Sequence, residues 1–448
     1  MCVGPNCFEA SPIRHLLRNA KFALILAVIF AAGMWFYVQR VMIPHQVSEA
    51  TLHGTPRGNL SDLYPRWLGA RELLLRHRDP YSAEVTREIQ IGYYGRALDP
   101  THPRDPADQQ GFAYPIYVVF LLAPTIALPF PIVQAGFRWL LILLTTASVP
   151  LWLRVFRLRL SPWTVAAIVM LVLGSFQVIQ GIRLQQLSLL AAGLMTLCAF
   201  LVAKDRLAAA GILLALATIK PQLALPLSGW LLVWTVGDWR QRKTFAAAFI
   251  GTMVALVVMG ELVLPGWIGR FQDAVIAYRR YNDGAESILQ LLFTPVLGNV
   301  LALALVLGLA IICWKVRALR KESLAFHWFT ALILAATVLV APKAAPYNQV
   351  LLLAPVLLIA SRSDTLWKHG ILARATLTLA ALIFFFPWLA ALAIATAAPL
   401  IPVAKQWVLP LYTMPAIPLA VSAVMVLTYP LFLRESTTQA SANARPEA

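Results

Sequence analysis

The stretch SDLYPRWLGARELLLRHRDPYS (residues 61–82) belongs to the one long polar segment, Ile43–Phe112, of a chain that is otherwise dominated by apolar runs. This segment holds nine of the twenty carboxylates and four of the seven histidines. Most side chains able to act on a polar substrate are therefore found here. We expect the rest of the chain to hold this segment at a membrane surface. The nine carboxylates are Glu49, Asp62, Glu72, Asp79, Glu84, Glu88, Asp99, Asp105 and Asp108.

The composition identifies a membrane protein. The 448 residues are 60% hydrophobic and 13% charged, whereas soluble domains carry about 25% charged residues. Repeated apolar runs of about 18 residues or more indicate transmembrane helices. The net charge of +17 comes from short basic clusters between these runs, as the positive-inside rule expects of cytoplasmic loops. The charge therefore does not indicate a nucleic-acid partner, and the four cysteines form no disulfide or metal pattern.

The basic clusters predict the topology. Residues 1–21 form a cytoplasmic tail, residues 22–433 an all-α polytopic membrane domain, and residues 434–448 a disordered cytoplasmic tail. The first span, Phe22–Val38, is an uncleaved anchor, which places the segment 43–112 outside the cytoplasm. We expect about twelve transmembrane helices and both termini inside.

Two segments decide this count of spans. Phe112–Pro131 is short and rich in proline, and the cluster Arg154, Arg157 and Arg159 lies inside only if this segment does not cross the membrane. Leu207–Val236 has basic clusters at both ends, which predicts two short helices with Lys220-Pro221-Gln222 at an outer apex.

The polar loop is predicted to carry surface helices. Asp62–Arg78 is typical of a helix that Ser61 or Asp62 can cap, and its apolar side, which includes Trp67, suits a helix lying on the membrane. Ser82 can cap a second short helix through Ile91.

Several short motifs together resemble glycosyltransferase family 87, the bacterial polyprenol-phosphate-mannose-dependent mannosyltransferases of the GT-C superfamily. The resemblance extends from about Phe22 to Leu433. The motifs are Ser61-Asp62-Leu63-Tyr64, Asp79-Pro80-Tyr81, Phe112-Ala113-Tyr114-Pro115, Gln180-Gly181, Lys220-Pro221-Gln222 and Pro346-Tyr347.

The resemblance implies an inverting transfer of a sugar, mannose or a related hexose or pentose. The donor would be a polyprenyl phosphate, and the acceptor a lipid or glycan. The site would face the outer side of a bacterial cytoplasmic membrane. Such a reaction needs a general base for the acceptor hydroxyl and cations for the departing phosphate. Membrane lipids are the other expected partner, and no cofactor or metal is indicated.

Asp62 is the predicted general base because it matches the family's first-loop aspartate. A helix N-terminus there would favour its ionised form. The alternative is that Asp62 only caps the helix. Asp79 is the second candidate, although an aspartate before Pro-Tyr is typical of a turn. Asp105 and Asp108 are predicted to be solvated loop charges.

The predicted phosphate ligand is Lys220, since an ionisable residue between two apolar half-helices is costly. The alternative is a lysine that snorkels to the interface. Arg183 and Lys343 are weaker candidates on the same side, and Arg279 and Arg280 are expected to be solvated. Tyr64, Asp79 and Tyr81 are predicted to contact the sugar or the acceptor, although interface anchoring also explains such tyrosines.

Two other classes of protein remain open. A secondary transporter would show paired interrupted helices in two repeated halves, and the sequence indicates one interrupted segment, Leu207–Val236. A non-catalytic subunit of an envelope-glycan assembly system would tolerate loss of any single carboxylate.

Overall fold

The protein is described by a computed structural model that covers residues 19–55, 61–99, 101–281, 286–400, 402 and 404–428. Within these ranges all regular structure is helical. The predicted disordered tail 434–448 and nearly all of the predicted tail 1–21 lie outside the described residues. The helices are α1 Ala20–Tyr37, α2 Ile43–Leu52, α3 Tyr64–Arg76, α4 Ala83–Tyr94, α5 Val118–Leu122, α6 Phe130–Val155, α7 Pro162–Leu173, α8 Phe176–Arg183, α9 Leu187–Ala203, α10 Leu207–Ala217, α11 Pro221–Gly237, α12 Trp239–Val263, α13 Trp267–Tyr281, α14 Ile288–Leu292, α15 Pro295–Val316, α16 Leu324–Val340, α17 Leu353–Ser361, α18 Ser363–Trp367 and α19 Ile371–Ala397.

The prediction of an all-helical, polytopic membrane protein is confirmed. Among the described residues, six helices are long and apolar enough to cross a membrane, and the bent pair α7 and α8 makes a seventh if it is one span. Four further apolar helices have 10 to 17 residues. The predicted count of twelve spans stays a prediction. The six long helices are Ala20–Leu52, Phe130–Val155, Trp239–Val263, Pro295–Val316, Ile371–Ala397 and Leu409–Thr428.

The first helix is longer than the sequence predicted. A π-helical turn, Val38–Met42, joins α1 to α2, so the chain stays helical to Leu52. The polar segment that begins at Ile43 is therefore helical over its first ten residues. The side chains of Val41 and Met42 are buried, and His45 stacks on Trp407 with 4.2 Å between ring centroids. These contacts hold the extension against the C-terminal part of the chain.

The segment after the polar loop is buried inside the protein. Its regular structure is the five-residue α5 and one 3-10 turn, Ala123–Thr125, so it is too short to cross a bilayer as a helix. The side chains of Ile116, Val118 and Leu122 are fully buried. The loop helices cover this segment, and the expectation that it dips into or lies on the outer leaflet without crossing the membrane stays a prediction.

The loop helices α3 and α4 pack over this segment instead of lying free on the membrane. Leu63 and Trp67 belong to a core that also contains Phe130, and the indole N–H of Trp67 donates to the carbonyl of Thr125 (3.2 Å). Ser82 caps α4 through the N–H of Val85 (3.2 Å), as predicted. The loop is thus a folded layer over the membrane domain.

The interruption predicted at Lys220 is confirmed. Helices α10 and α11 are separated by Thr218, Ile219 and Lys220. Helix α10 runs along α12 so closely that a Cβ at Gly211 would lie 2.5 Å from the carbonyl oxygen of Phe245. From Lys220, helix α11 runs back to Gly237, and α12 begins one residue later at Trp239. The chain therefore forms a hairpin with Lys220 at its apex.

A second interruption was not predicted. Helices α7 and α8 meet at an angle of 61° across Gly174 and Ser175. Ser175 caps α8 by accepting from the N–H of Val178 (3.3 Å). The indole of Trp388 donates to the carbonyl of Gly174 (3.1 Å), which would otherwise be unsatisfied at the break.

Candidate active site

A cavity of about 570 Å³ lies where the folded loop meets the apex of the α10–α11 hairpin. Six separate parts of the chain line it, and its residues include four cations, two carboxylates and four aromatic rings. The principal lining residues are Asp62, Arg66, Asp108, Tyr114, Gln186, Ile219, Lys220, Leu225, Phe271, Val275, Ile276, Tyr278, Arg279, Lys343, Tyr347 and Asn348.

Asp62 is held in this cavity by its backbone. Its N–H donates to the carbonyl of Leu184 (3.0 Å), and the Ser61 hydroxyl donates to the same carbonyl (3.1 Å). Helix α3 begins at Tyr64, with Leu63 as its N-cap residue and no side-chain cap. The prediction that Asp62 caps the helix is therefore wrong, and the carboxylate is available to the cavity.

Two donors orient the Asp62 carboxylate. The hydroxyl of Tyr93 donates to Oδ1 (3.3 Å), and the side-chain amide of Gln186 donates to Oδ2. Burial raises the pKa of the Tyr93 hydroxyl well above its ordinary value. Tyr93 therefore keeps its proton and acts as a donor at neutral pH.

The pKa of the Asp62 carboxyl is determined mainly by burial and not by a helix dipole. Burial raises the pKa of the Asp62 carboxyl, Arg66 opposes this, and Asp108 adds to it. The expectation that a helix N-terminus stabilises the anion is wrong, since Asp62 precedes the cap position. A carboxylate with a raised pKa is a stronger base.

Lys220 is buried at the apex of the hairpin, with 6% of its surface exposed. Its Nζ donates to the Ser188 hydroxyl (2.5 Å) and to Oε1 of Gln186 (3.2 Å), and it lies 5.0 Å from the centre of the Tyr347 ring. The snorkelling alternative is wrong, because the ammonium points into the protein and ends on polar partners.

The apex itself is anchored from two sides. The hydroxyl of Tyr117 donates to the carbonyl of Thr218 (2.9 Å), and Pro221 occupies the first turn of α11, where its missing N–H costs nothing. The Ser188 hydroxyl donates its own proton to Oδ1 of Asn348 (2.8 Å). The position of Lys220 is thus fixed by the buried segment, α9 and the chain after α16.

Arg66 and Lys343 complete the cationic part of the cavity. The Arg66 guanidinium lies 4.4 Å from the centre of the Tyr114 ring, donates to the carbonyl of Asp62 (2.7 Å), and has a buried Nε without a hydrogen-bond partner among the described residues. Lys343 donates to the Tyr278 hydroxyl (2.5 Å). Burial lowers the pKa of Lys343, but Tyr278 and the carboxylates of Asp108 and Asp62 together raise it above its ordinary value.

Four predicted residues lie outside the cavity lining. Arg183 donates to Oε1 of Gln46 (2.8 Å), and Tyr64 packs edge-on against Phe130 with centroids 4.9 Å apart. Asp79 pairs with Arg270 of α13 and accepts from the N–H of Tyr81 (2.9 Å).

Tyr81 donates to the carbonyl of Tyr114 (2.6 Å), so it supports a cavity residue without lining the cavity. Asp79 likewise ties the loop to α13. Both residues, together with Tyr64, contribute to the fold of the loop around the cavity.

The two loop aspartates expected to be solvated have different surroundings. The Asp105 side chain is 5% exposed and pairs with Arg96, which lowers the pKa of its carboxyl. Asp108 lines the cavity, and its Oδ1 accepts from the N–H of Gln110 (3.0 Å). The prediction for Asp105 was wrong, because a charge in a proline-rich loop carries no sequence pattern that distinguishes burial from exposure. Asp108 is partly exposed at the cavity.

Sequence reasoning also missed Arg66, Gln186, Tyr278 and Asn348 as cavity residues, and Arg279, expected to be solvated, is exposed at the rim. Two of these residues could have been found from the sequence, because they lie close to the motifs named above. Arg66 follows Asp62 by one helical turn, and Asn348 follows Tyr347 directly. In the described parts of the chain, no group of three or more His, Cys, Asp or Glu is placed to hold a metal.

The fold and the cavity together define a polytopic helical membrane protein with a buried polar site that combines carboxylates and cations. The model of glycosyltransferase family 87 matches residues 112–342. This match covers more than half of the 448 residues, so the chain belongs to glycosyltransferase family 87 and is a membrane-embedded glycosyltransferase. The matched range contains Gln186, Lys220 and Tyr278, whereas Asp62 and Asp108 precede it. No curated protein matches the chain.

Proposed function

We propose that this glycosyltransferase transfers a sugar, mannose or a related hexose or pentose, from a polyprenyl-phosphate donor to a hydroxyl of a lipid or glycan. The observation that carries the proposal is the pairing of Asp62 and Lys220 in one cavity through Gln186. A carboxylate able to accept a proton and a cation able to receive a phosphate are the minimal set for this reaction.

The proposed step inverts the anomeric carbon. The acceptor oxygen attacks C1 from the face opposite the phosphate, and its proton passes to the Asp62 carboxylate. The bond between C1 and the phosphate oxygen breaks, and its electron pair stays on the phosphate, which leaves as a polyprenyl phosphate monoester. Arg66, Lys220 and Lys343 are the cations that would stabilise the added negative charge.

The apolar side of the cavity favours a lipid-linked donor. Ile219, Leu225, Phe271 and Ile276 line the cavity together with the charged residues. Leu225 and Ile276 are 57% and 49% exposed. An apolar opening beside a cationic site fits a phosphate with a hydrocarbon chain better than it fits a nucleotide sugar.

The cellular placement is part of the same proposal. We place the cavity on the extracytoplasmic face of a bacterial cytoplasmic membrane, in a GT-C-like domain of about twelve spans, because the basic clusters lie at the opposite ends of the helices. Neither a cofactor nor a metal is included in the proposed step.

The test is sugar transfer from a radiolabelled polyprenyl-phosphate sugar by the purified protein. Asp62→Asn keeps shape but cannot accept the proton, so we expect turnover to fall about a hundredfold or more. Donor binding should be nearly unchanged.

Asp79→Asn is the matched control and should keep most of the activity, because Asp79 pairs with Arg270 outside the cavity. If Asp62→Asn turned over at the normal rate while Asp79→Asn were inactive, the base would be Asp79. If both were active, the proposed reaction at this site would be wrong.

A further inference from the structure

A second, smaller pocket lies at the opposite end of the helices from the cavity. Helix α9 begins directly after Gln186 and ends at Ala203, beside this pocket. Its 17 residues separate the two by about 25 Å at 1.5 Å per residue. The pocket has a volume of about 160 Å³ and is lined by Arg154, Val155, Arg157, Phe200, Ala203, Lys204, Lys321, Glu322 and His327.

The lining is strongly positive. Arg154, Arg157 and Lys204 form no ion pair with any carboxylate in the described part of the chain. Lys321, whose side chain is 14% exposed, pairs with Asp205 and lies 3.7 Å from Glu322. The four cations come from three parts of the chain, so their charges converge on a concave surface that has one carboxylate in its lining.

The positive-inside rule explains why basic residues occur at this end, but not why these four face one pocket. Other basic residues at the same end are placed differently. Arg242 is buried and donates to the carbonyls of Trp234 (2.7 Å) and Arg317 (3.1 Å). Arg240 and Lys243 are exposed on α12, as Arg154, Arg157 and Lys204 are on their own helix ends, but they do not line this pocket. The pocket is therefore a distinct arrangement.

The backbone holds this arrangement in a left-handed turn. After α6, Arg157 has φ 56°, and the N–H of Leu158 closes the turn on the carbonyl of Leu153 (2.8 Å). Glycine is the usual residue at this position after a helix, and a non-glycine residue there is strained. The turn puts an arginine at the mouth of the pocket in place of the residue that the backbone favours.

Three apolar residues, Val155, Phe200 and Ala203, also line the pocket. The centre of the Phe200 ring lies 5.8 Å from Nζ of Lys204. Basic pockets between helices at the cytoplasmic end of membrane proteins bind anionic lipid headgroups. The volume is sufficient for a phosphate group but not for a sugar-bearing substrate with its lipid.

We propose that this pocket binds a phosphate group, carried by an anionic phospholipid headgroup or by a soluble phosphate ester. The site is separate from the cavity, so the inference does not depend on the proposed reaction. Occupation would join the ends of α6 and α9 to the start of α16 and stabilise the folded protein in proportion to ligand binding.

The experiment compares Arg154→Gln/Lys204→Gln with Arg240→Gln/Lys243→Gln, which removes the same charge from equally exposed residues at the same end that do not line the pocket. Thermal unfolding of the full-length protein is measured in vesicles of phosphatidylcholine alone and of phosphatidylcholine with phosphatidylglycerol. A second arm titrates inorganic phosphate into protein in a zwitterionic detergent.

We expect the wild type and the control to be stabilised, and the apparent affinity of the pocket variant to be about tenfold or more weaker for each cation removed. If phosphatidylglycerol stabilises the protein and inorganic phosphate does not, the ligand is a lipid headgroup. If inorganic phosphate also stabilises the protein, the pocket accepts a soluble phosphate ester. Equally weakened binding in both double variants, or no stabilisation of the wild type in either arm, would overturn the inference. If the pocket variant unfolds in phosphatidylcholine alone, Lys204→Gln replaces it.

Discussion

Asp62 and Lys220, which are 158 positions apart in the chain, are joined by the side chain of Gln186. An ionised carboxylate can only accept a hydrogen bond and an ammonium can only donate one. The amide nitrogen of Gln186 therefore faces Asp62, and its oxygen faces Lys220. Gln186 is 3% exposed. The preceding residue, Gln185, has φ 46°, and its own amide is tied to the carbonyls of Ile182 (2.5 Å) and Arg183 (2.8 Å). The strained turn thus sets the distance between the two charged groups.

Replacing Gln186 should change the pH dependence of turnover. Gln186→Met removes the bond that stabilises the ionised carboxylate, so the pKa of Asp62 should rise and the acid limb of the rate profile should move to higher pH. The rate on the plateau should fall about tenfold or more.

The matched control for this change is Gln177→Met, because Gln177 is also buried but bonds to Gln349 (3.2 Å) away from the cavity. The control should leave the acid limb in place. A shared shift in both variants would mean that Gln186 has only a structural role.

Asp108→Asn should shift the acid limb in the other direction. The negative charge of Asp108 raises the pKa of Asp62, so its removal should lower that pKa and extend activity to lower pH. The asparagine Oδ1 can still accept from the N–H of Gln110. The measurement is the profile of kcat/KM against pH, and a limb unchanged from wild type would show that the two carboxylates do not interact.

Lys220→Met should weaken donor binding without unfolding the protein. Loss of a charge-assisted hydrogen bond to phosphate costs about 1.5–3 kcal/mol, which is about ten- to a hundredfold in affinity. Binding of the polyprenyl-phosphate sugar to the purified variant measures this.

Arg183→Met provides the comparison, since Arg183 contacts Gln46 outside the cavity. It should leave donor affinity within about twofold of the wild type, because no ligand-binding charge is removed. Equal affinities of Lys220→Met and the wild type would remove Lys220 from the donor site.

The topology is tested by labelling single cysteines in intact cells. A cysteine at Gln222, beside the hairpin apex, should react with a membrane-impermeant reagent, whereas cysteines at Lys243 and Arg159 should react only after permeabilisation. Reaction of Arg159→Cys in intact cells would mean that the segment after the polar loop crosses the membrane.

The sequence predicted what depends on local patterns. Apolar runs indicated the helical membrane domain, Ser82 indicated a helix start, and the basic clusters at both ends of Leu207–Val236 indicated the hairpin with Lys220 at its apex. Each rests on a physical preference that can be read from one continuous segment of the chain.

The site as a set of contacts could not be predicted in this way. Gln186 has no pattern that distinguishes it from Gln185, and only the fold shows that one faces the cavity. Asp108 and Asp105 are three residues apart, yet one lines the cavity and the other pairs with Arg96. Burial in a loop depends on partners far away in the chain, so local composition does not contain it.

The cavity takes its walls from six parts of the chain, the first at Asp62 and the last at Asn348. A membrane protein is inserted from its N-terminus while it is being synthesised. The loop that carries Asp62 is therefore made long before Lys343 and Asn348 leave the ribosome. During that interval Ser188 lacks its acceptor on Asn348 and the far wall of the cavity is absent. The complete cavity can therefore form only when about three quarters of the polypeptide has been made, so shorter nascent chains lack the assembled site.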